Sequence, residues 1–283
     1  MIDATDRPRG HRTDMQDWGQ RTLAGLDVSA LGIASSYGLS AADVERAFER
    51  GINFLFWGSL RKGDFGRGVR AVAQKHRERA VIAIQSYSRF GWAMRWSVNR
   101  ALRQLGTDYV DVLCLAWWNG PPPKRIVDAA LRLKEQGKVR RIMVSSHDRA
   151  ALASMAADPR FDALMLRYNA AHTGAEREVF PHLQRRRPGV LAFTATRWGT
   201  LLDPRLTPNG DRTPRATDCY RFALTAPEID ACLTGPRNGH ELDEALRAID
   251  EGPMDAAELD WMRRVGAHVR GGASPRVFAT RTA

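Results

Sequence analysis

Lysine is scarce in this chain: of 43 basic residues among 283, only Lys62, Lys75, Lys124, Lys134 and Lys138 are not arginine. That usage reads as a codon bias toward arginine. A formal charge of +11 would otherwise invite a nucleic-acid partner, because clustered cations release counterions from a phosphate backbone. The arginines are scattered, with a single triple at 185–187, so a solvated basic surface accounts for the charge and argues against nucleic acid as a partner. Cysteine is equally sparse. Cys114, Cys219 and Cys232 have no CxxC spacing, which excludes a disulfide framework and a zinc site, and no bound metal is expected. No apolar run approaches the ~20 residues that cross a bilayer; the run at 109–118 is interrupted by Asp111. A membrane is therefore not an expected partner. The first twenty residues are polar and lack the apolar stretch of a secretory signal, so the expected location is cytoplasmic. HExxH, GxSxG and GxxxxGK[ST] are all missing. GDFGRG at 63–68 has its glycines in the order GxxGxG, lacks the dinucleotide fingerprint and reads as a flexible loop.

What is present is alternation. With 43% hydrophobic and 27% charged residues the chain has the composition of a packed domain. Short apolar runs fall at 31–34, 52–57, 80–86, 109–117, 141–145, 163–168, 190–194 and 229–234. Their near-continuous hydrophobicity is that of parallel strands buried on both faces. Helical patterns lie between them. Ser40 and Asp43 form a capping box for a helix to Gly51; 92–105 stops at Gly106; 123–136 stops at Gly137. Asp255 with Glu258 starts a last helix through His268, outside the repeats. Eight βα units in about 250 residues predict an α/β fold of the (β/α)8 TIM-barrel type rather than a doubly wound sheet. Residues 21–29 are expected to form a β-hairpin closing the bottom. One domain is predicted over 19–272, with a poorly ordered extension at 1–18 and a flexible tail at 273–283.

The segments GINFLFW (51–57), SVNRALRQLGTDYVDVLCL (97–115), LKEQGKVRRIMVSS (133–146), LRYNAAHTGAEREVFPHL (166–183) and CLTGPRNGHELDEALRAIDEGPM (232–254) occur in a telling order and spacing. Together they resemble the aldo-keto reductase superfamily, whose fold is this barrel. The resemblance implies carbonyl reduction with NADPH by an Asp, a Tyr, a Lys and a His at the upper ends of strands two to four. There the Tyr is the general acid, its phenolate stabilised by the Lys cation. Matching the segments puts Phe56 at the Asp position, Arg61 at the Tyr, Gln85 at the Lys and Ala116 at the His. The resemblance thus implies a divergent member without the usual tetrad. For the cofactor NADP it implies roles for Ser145, with Ser146 in place of an Asn and Met165 in place of a Gln at the carboxamide, and for Phe193 as the ring-stacking aromatic. Arg237 and Asn238, opening the helix after strand eight, would then face the adenosine phosphates. Read without the resemblance, Asn238 and Glu241 make a capping box and Arg237 is a solvated flank.

Barrel sites lie at the C-terminal ends of strands, so the side chains there are the candidates. Gln85 and Tyr87 share strand parity and should project toward the axis, as should Met165, Arg167 and Asn169. Arg61, Lys62, Arg89, Arg167, Arg197 and Arg237 fall at strand ends and predict an electropositive mouth attractive to anions. Tyr37, Arg61 and Tyr87 are the candidate catalytic residues; Tyr37 needs a nearby cation to act, because an unassisted phenol has a pKa of ~10. It is otherwise a packing residue. Trp118, His147, Arg167 and Asn169 are candidates for binding a small-molecule substrate of anionic or aromatic character. His147 would titrate near neutrality or sit at the start of a helix capped by Asp148. Of the mouth tryptophans, alternation turns Trp57 and Trp117 outward against helices. Three functions remain open: an oxidoreductase with a non-standard proton donor, a redox-neutral isomerase or lyase, and a non-catalytic ligand-binding pseudoenzyme.

Overall fold

The computed structural model describes residues 18–272 apart from 36, 60 and 62. The expected extension and tail lie outside the described residues except for Trp18. That residue corrects the boundary: it is buried, and its indole N–H donates to the Ala248 carbonyl at 2.9 Å, so it belongs to the barrel.

Each apolar run becomes a strand: β3 (Leu31–Ala34), β4 (Phe54–Trp57), β5 (Val81–Ser86), β6 (Val110–Leu115), β7 (Val139–Ser145), β8 (Ala163–Arg167), β9 (Gly189–Phe193) and β10 (Ala231–Thr234). They pair in parallel, in sequence order, and β10 closes on β3. Period-2 alternation then separates two cores. Phe54, Phe56, Ala83, Val112, Cys114, Met143, Met165, Leu191 and Leu233 fill the barrel interior, while Ile33, Leu55, Trp57, Ile84 and Leu113 face the helices. Glycine is needed once inside: a Cβ at Gly32 would stand 2.5 Å from the Phe54 ring, so its absence lets that ring fill the interior. The hairpin of β1 (Gln20–Leu23) and β2 (Leu26–Ser29) plugs the bottom with Leu23, Leu26 and Val28. Asp111, the charge inside an apolar run, is fully buried at this end. It accepts from the Ile82 N–H and from Arg77, both at 2.8 Å, a structural role.

The outer ring is α1 (Ala41–Glu49), α2 (Gly63–His76), α3 (Gly91–Leu105), α4 (Lys124–Glu135), α5 (Arg149–Ala156), α6 (Ala175–Glu178), α7 (Ala216–Thr225) and α8 (Gly239–Glu251). The Ser40 capping box and the left-handed Gly106 stop are both present. The extra helix α9 (Ala256–Gly272) starts at Asp255 and Glu258 but continues past His268. GDFGRG is not a loop: it opens α2. Its glycines serve packing, since a Cβ at Gly66 would meet the Trp57 indole at 2.8 Å and one at Gly68 would meet Val44 at 2.7 Å. Among the described residues no helix is long and apolar enough to cross a membrane.

Candidate functional site

At the C-terminal ends of the strands a cavity of about 300 Å³ opens, large enough for one or two rings. Phe56, Gln85, Met165 and Leu233 form its floor, and Tyr37, Tyr87, Trp117, His147, Phe193 and Trp198 its walls. No Asp, Glu, Lys or Arg is among the described residues that line it. The walls touch edge to face: Tyr87 with Trp117 at 6.5 Å between centroids, Trp117 with His147 at 5.2 Å, and His147 with Phe193 at 5.5 Å. Backbone strain concentrates here. Of the six described non-glycine residues with positive φ, Trp117, Thr194 and Trp198 line this mouth, and Arg197 lies on the same loop as the last two. A β-branched Thr at φ 63° is an outlier held by its surroundings, and such strain gathers at functional sites.

Trp117 shows how the sequence pattern is overridden. Alternation turns it outward, but β6 ends at Leu115 and Trp117 takes φ 57°, which swings its ring into the mouth, half exposed. Three bonds hold that turn. The Trp117 N–H donates to Ser145 Oγ at 3.0 Å, the Trp118 N–H donates to the Ser145 carbonyl at 2.9 Å, and Arg89 donates to the Trp117 carbonyl at 2.8 Å. Trp57 does pack outward as expected.

The remaining candidates divide between those the structure brings to the cavity and those it does not. Tyr37 and Tyr87 both line it. The Tyr37 ring lies against Gly235, where a Cβ would stand 2.5 Å away, and burial raises its phenol pKa, with no cation among the described residues opposing that. Tyr87 is raised first by burial, then by Cys114 and Tyr37; only a hydrogen bond with Gln85 works the other way. His147 lines the wall while Asp148 caps α5, accepting from the Ala151 N–H at 3.0 Å, so both sequence readings hold at once. Burial, then the charge of Arg167, lowers the His147 pKa, so the ring is neutral at pH 7. The Cys114 thiol in the interior is pushed up by burial to about 12 and is inert.

Arg61 is not in the cavity. Its guanidinium turns to Ser97 Oγ at 2.9 Å and the Gln85 carbonyl at 3.3 Å, and burial lowers it to about 10. Trp118 also stands apart, packed on the outer core under the Arg89 guanidinium at 3.8 Å. Asn169 is fully buried and holds the turn after β8, its amide donating to the Thr194 carbonyl and accepting from the Ala171 N–H. Arg167 lies outside the lining, among Arg149, Arg197 and Arg270. Lys62 lies outside the described residues. The expected electropositive mouth is thus corrected: long side chains that start at strand ends reach back to carbonyls or outward, and the described lining of the opening is aromatic and uncharged.

Of the cofactor candidates, Ser145 and Phe193 line the cavity, the former with its Oγ already accepting from Trp117. Ser146 points away, accepting from the Asp148 N–H at 2.9 Å. Arg237 is exposed and pairs with Glu241 at 2.5 Å, while Asn238 caps α8 by accepting from the Glu241 N–H, the capping alternative read from sequence. Thr234 Oγ1 escapes sequence reasoning. It is buried on the cavity wall and has no hydrogen-bond partner among the described residues. Tyr220 escapes it too, because it sits on α7 and reaches the mouth from behind. A Thr closing a strand carries no signal for the first, and a helical Tyr none for the second.

A model of the aldo/keto reductase family matches residues 29–218. Among solved structures, the holo form of aldo-keto reductase AKR11C1 from Bacillus halodurans superposes with a TM-score of 0.74 at 19% identity, covering 87% of this chain and 95% of that one. An aldo/keto reductase from Klebsiella pneumoniae, solved with NADP and acetate, gives 0.74 at 19%, covering 88% of this chain and 96% of that one.

Proposed function

The chain belongs to the aldo/keto reductase family, and from that premise we propose that it is an aldo-keto-reductase-like oxidoreductase for a small, uncharged aromatic carbonyl compound, with Tyr87 as its proton donor. The observation that carries the substrate class is the cavity wall: aromatic faces without a formal charge favour a planar, uncharged ring. An anionic substrate loses support there, since no cation among the described residues lines the opening. The proton donor follows from position. Tyr87 stands two residues beyond Gln85 on the same face, its phenol stays protonated through the physiological range, and Gln85 orients it. The phenol delivers its proton to the carbonyl oxygen, and Gln85, being neutral, does little to stabilise the phenolate left behind, so turnover is slow.

NADP(H) is the cofactor of this reading, which the Klebsiella structure with NADP supports. The residues present fit it in outline. Phe193 offers a ring face, the orphaned Thr234 hydroxyl offers a polar contact in the cavity, and Arg237 with Asn238 at the start of α8 suits a phosphate once Arg237 leaves Glu241. Ser145 keeps a hydroxyl in the cavity, whereas Ser146 does not contribute. Bound there, the cofactor supplies a hydride. One further reading, binding without turnover, is favoured by the lack, among the described lining residues, of a cation to activate a phenol.

NADPH titration by fluorescence, followed by reduction of an aromatic aldehyde, tests the proposal. Micromolar binding with slow turnover that Tyr87→Phe abolishes and Tyr37→Phe preserves supports it. Binding with no turnover transfers the protein to the second reading, and absence of NADPH binding sinks the oxidoreductase.

A further inference from the structure

We propose that the barrel docks on an anionic lipid surface through the outward face of α3, where Phe90, Trp92 and Trp96 form an aromatic stripe set among arginines. The inference does not depend on the reductase reading. Met94, Val98, Ala101, Leu102 and Leu105 hold α3 to the barrel, and the opposite face of such a helix is ordinarily polar. Here the capping residue Phe90 and the outward Trp92 and Trp96 are 61%, 66% and 56% exposed. The Phe90 and Trp92 rings lie 6.3 Å apart, Trp96 follows one turn on, and the Arg100 guanidinium, a further turn along, sits over the Trp96 ring at 5.4 Å. The stripe is fixed at its start: Ser88 Oγ accepts from the Phe90 N–H at 3.1 Å and donates to the Phe90 carbonyl at 2.8 Å, and Arg89 ties the same segment to the Trp117 turn. Rings of this size bury about 150–250 Å² each, so the three present roughly 300–400 Å² to solvent, an area at which an exposed apolar patch marks an interaction surface.

Charge names the occupant. From 79 to 107 the chain has no Asp or Glu, and the segment of the stripe carries Arg89, Arg95, Arg100 and Arg103, none of them in an ion pair among the described residues. Such cations are drawn to anionic headgroups, while Trp and Phe lower their rings into the boundary beneath. A second copy of the chain would set two groups of unpaired arginines against each other on proteins of charge +11, which disfavours it. A single-stranded nucleic acid is held in a groove that tracks its backbone, whereas this face is the convex side of a helix. The lack of a spanning run bears on crossing a bilayer, not on resting against one. Because α3 follows β5, its first turn stands at the end of the barrel where the cavity opens. Among the described residues every large apolar side chain that is exposed belongs to this stripe or to the cavity wall, so docking by the stripe brings the mouth close to the lipid.

Co-sedimentation of the intact protein with vesicles of equal parts phosphatidylserine and phosphatidylcholine, against vesicles of phosphatidylcholine alone, tests the docking. Binding to the mixed vesicles that weakens as salt is added is expected, with tryptophan emission quenched by brominated acyl chains. W92S/W96S should lower that binding at least about tenfold and reduce the quenching, and R100Q/R103Q should lower it about tenfold. All four side chains are exposed, so the fold is kept. R205Q/R247Q removes the same charge from exposed positions away from α3 and should leave binding unchanged. Equal binding to both kinds of vesicle, no binding at low salt, or unchanged binding in both α3 variants overturns the proposal. A dimer in sedimentation equilibrium that W92S/W96S dissolves, without vesicle binding, gives the face to a second copy; salt-sensitive binding of an oligonucleotide, without vesicle binding, gives it to a nucleic acid. Either result overturns the lipid surface as its occupant.

Discussion

Replacing Gln85 by lysine would put an ammonium beside the Tyr87 phenol, and the structure fixes the sign of the effect. In the native protein burial, Cys114 and Tyr37 all raise the phenol pKa, and the Gln85 hydrogen bond is the single opposing influence. A unit charge about 4 Å from the phenolate at an effective dielectric of about 20 contributes roughly 4 kcal/mol, or about three pKa units. Part of that is returned, because the new ammonium is itself desolvated on the cavity floor. The net expectation is a fall of about one to two units in the Tyr87 pKa. With Brønsted behaviour, carbonyl reduction should then speed up roughly three- to tenfold. Tyrosinate absorbance titrated from pH 7 upward reads the shift, with Q85K/Y87F as the reference that removes the other tyrosines. A Tyr87 midpoint in Gln85→Lys that stays put or rises would refute the reasoning, since it would mean that the two side chains are not in electrostatic contact.

Other substitutions probe the scaffold around that pair. Ser145→Ala leaves the Trp117 N–H without its acceptor and should cost about 1–2 kcal/mol in denaturant unfolding, with a change in tryptophan emission as the ring relaxes out of the mouth. Gly66→Ala drives a methyl into the Trp57 indole and should destabilise by about 1–3 kcal/mol, whereas Gly63→Ala, with open space around it, should be near neutral. His172 sets a pH dependence. Its folded pKa of about 4 lies below the unfolded value of ~6.5, so the unfolded state takes up the proton first. Stability is therefore full above about pH 6.5 and lost as pH falls toward 4; the unscreened figure is roughly 3 kcal/mol, and solvent screening at this partly exposed ring reduces it to roughly 1–2 kcal/mol. His172→Gln should flatten that slope in melts between pH 7 and pH 4.5, and an unchanged slope would count against the buried His172 imidazole as its source.

The barrel is legible in the sequence because its signals are local and repeated. Eight apolar runs, the Ser40 capping box and the Gly106 stop each depend on neighbours within a few residues, and all are present in the fold. Where pattern and structure part, the cause is distant. GDFGRG looks like a loop because glycine weakens an isolated helix, yet Gly66 and Gly68 let α2 settle onto Trp57 and Val44, contacts that local propensity does not contain. Trp18 looks like part of a polar extension because its partner, the Ala248 carbonyl, lies 230 residues away.

The site is legible in position and not in direction. Strand parity brings Gln85, Met165 and Phe193 to the axis, since alternation holds as long as the strand lasts, and Tyr87, one residue past β5, still lines the cavity. Just beyond the strand the rule lapses, and a single left-handed φ turns Trp117 from the outer core into the mouth. Arginine adds its own uncertainty of reach: Arg61 and Arg89 begin at strand ends, yet Arg61 binds the Gln85 carbonyl and Arg89 those of Ala116 and Trp117. Those carbonyls are ones that strand ends leave without a ladder partner, so the cations are drawn to the backbone rather than into the opening. Counting basic residues at strand ends therefore overstates the positive charge inside a barrel mouth.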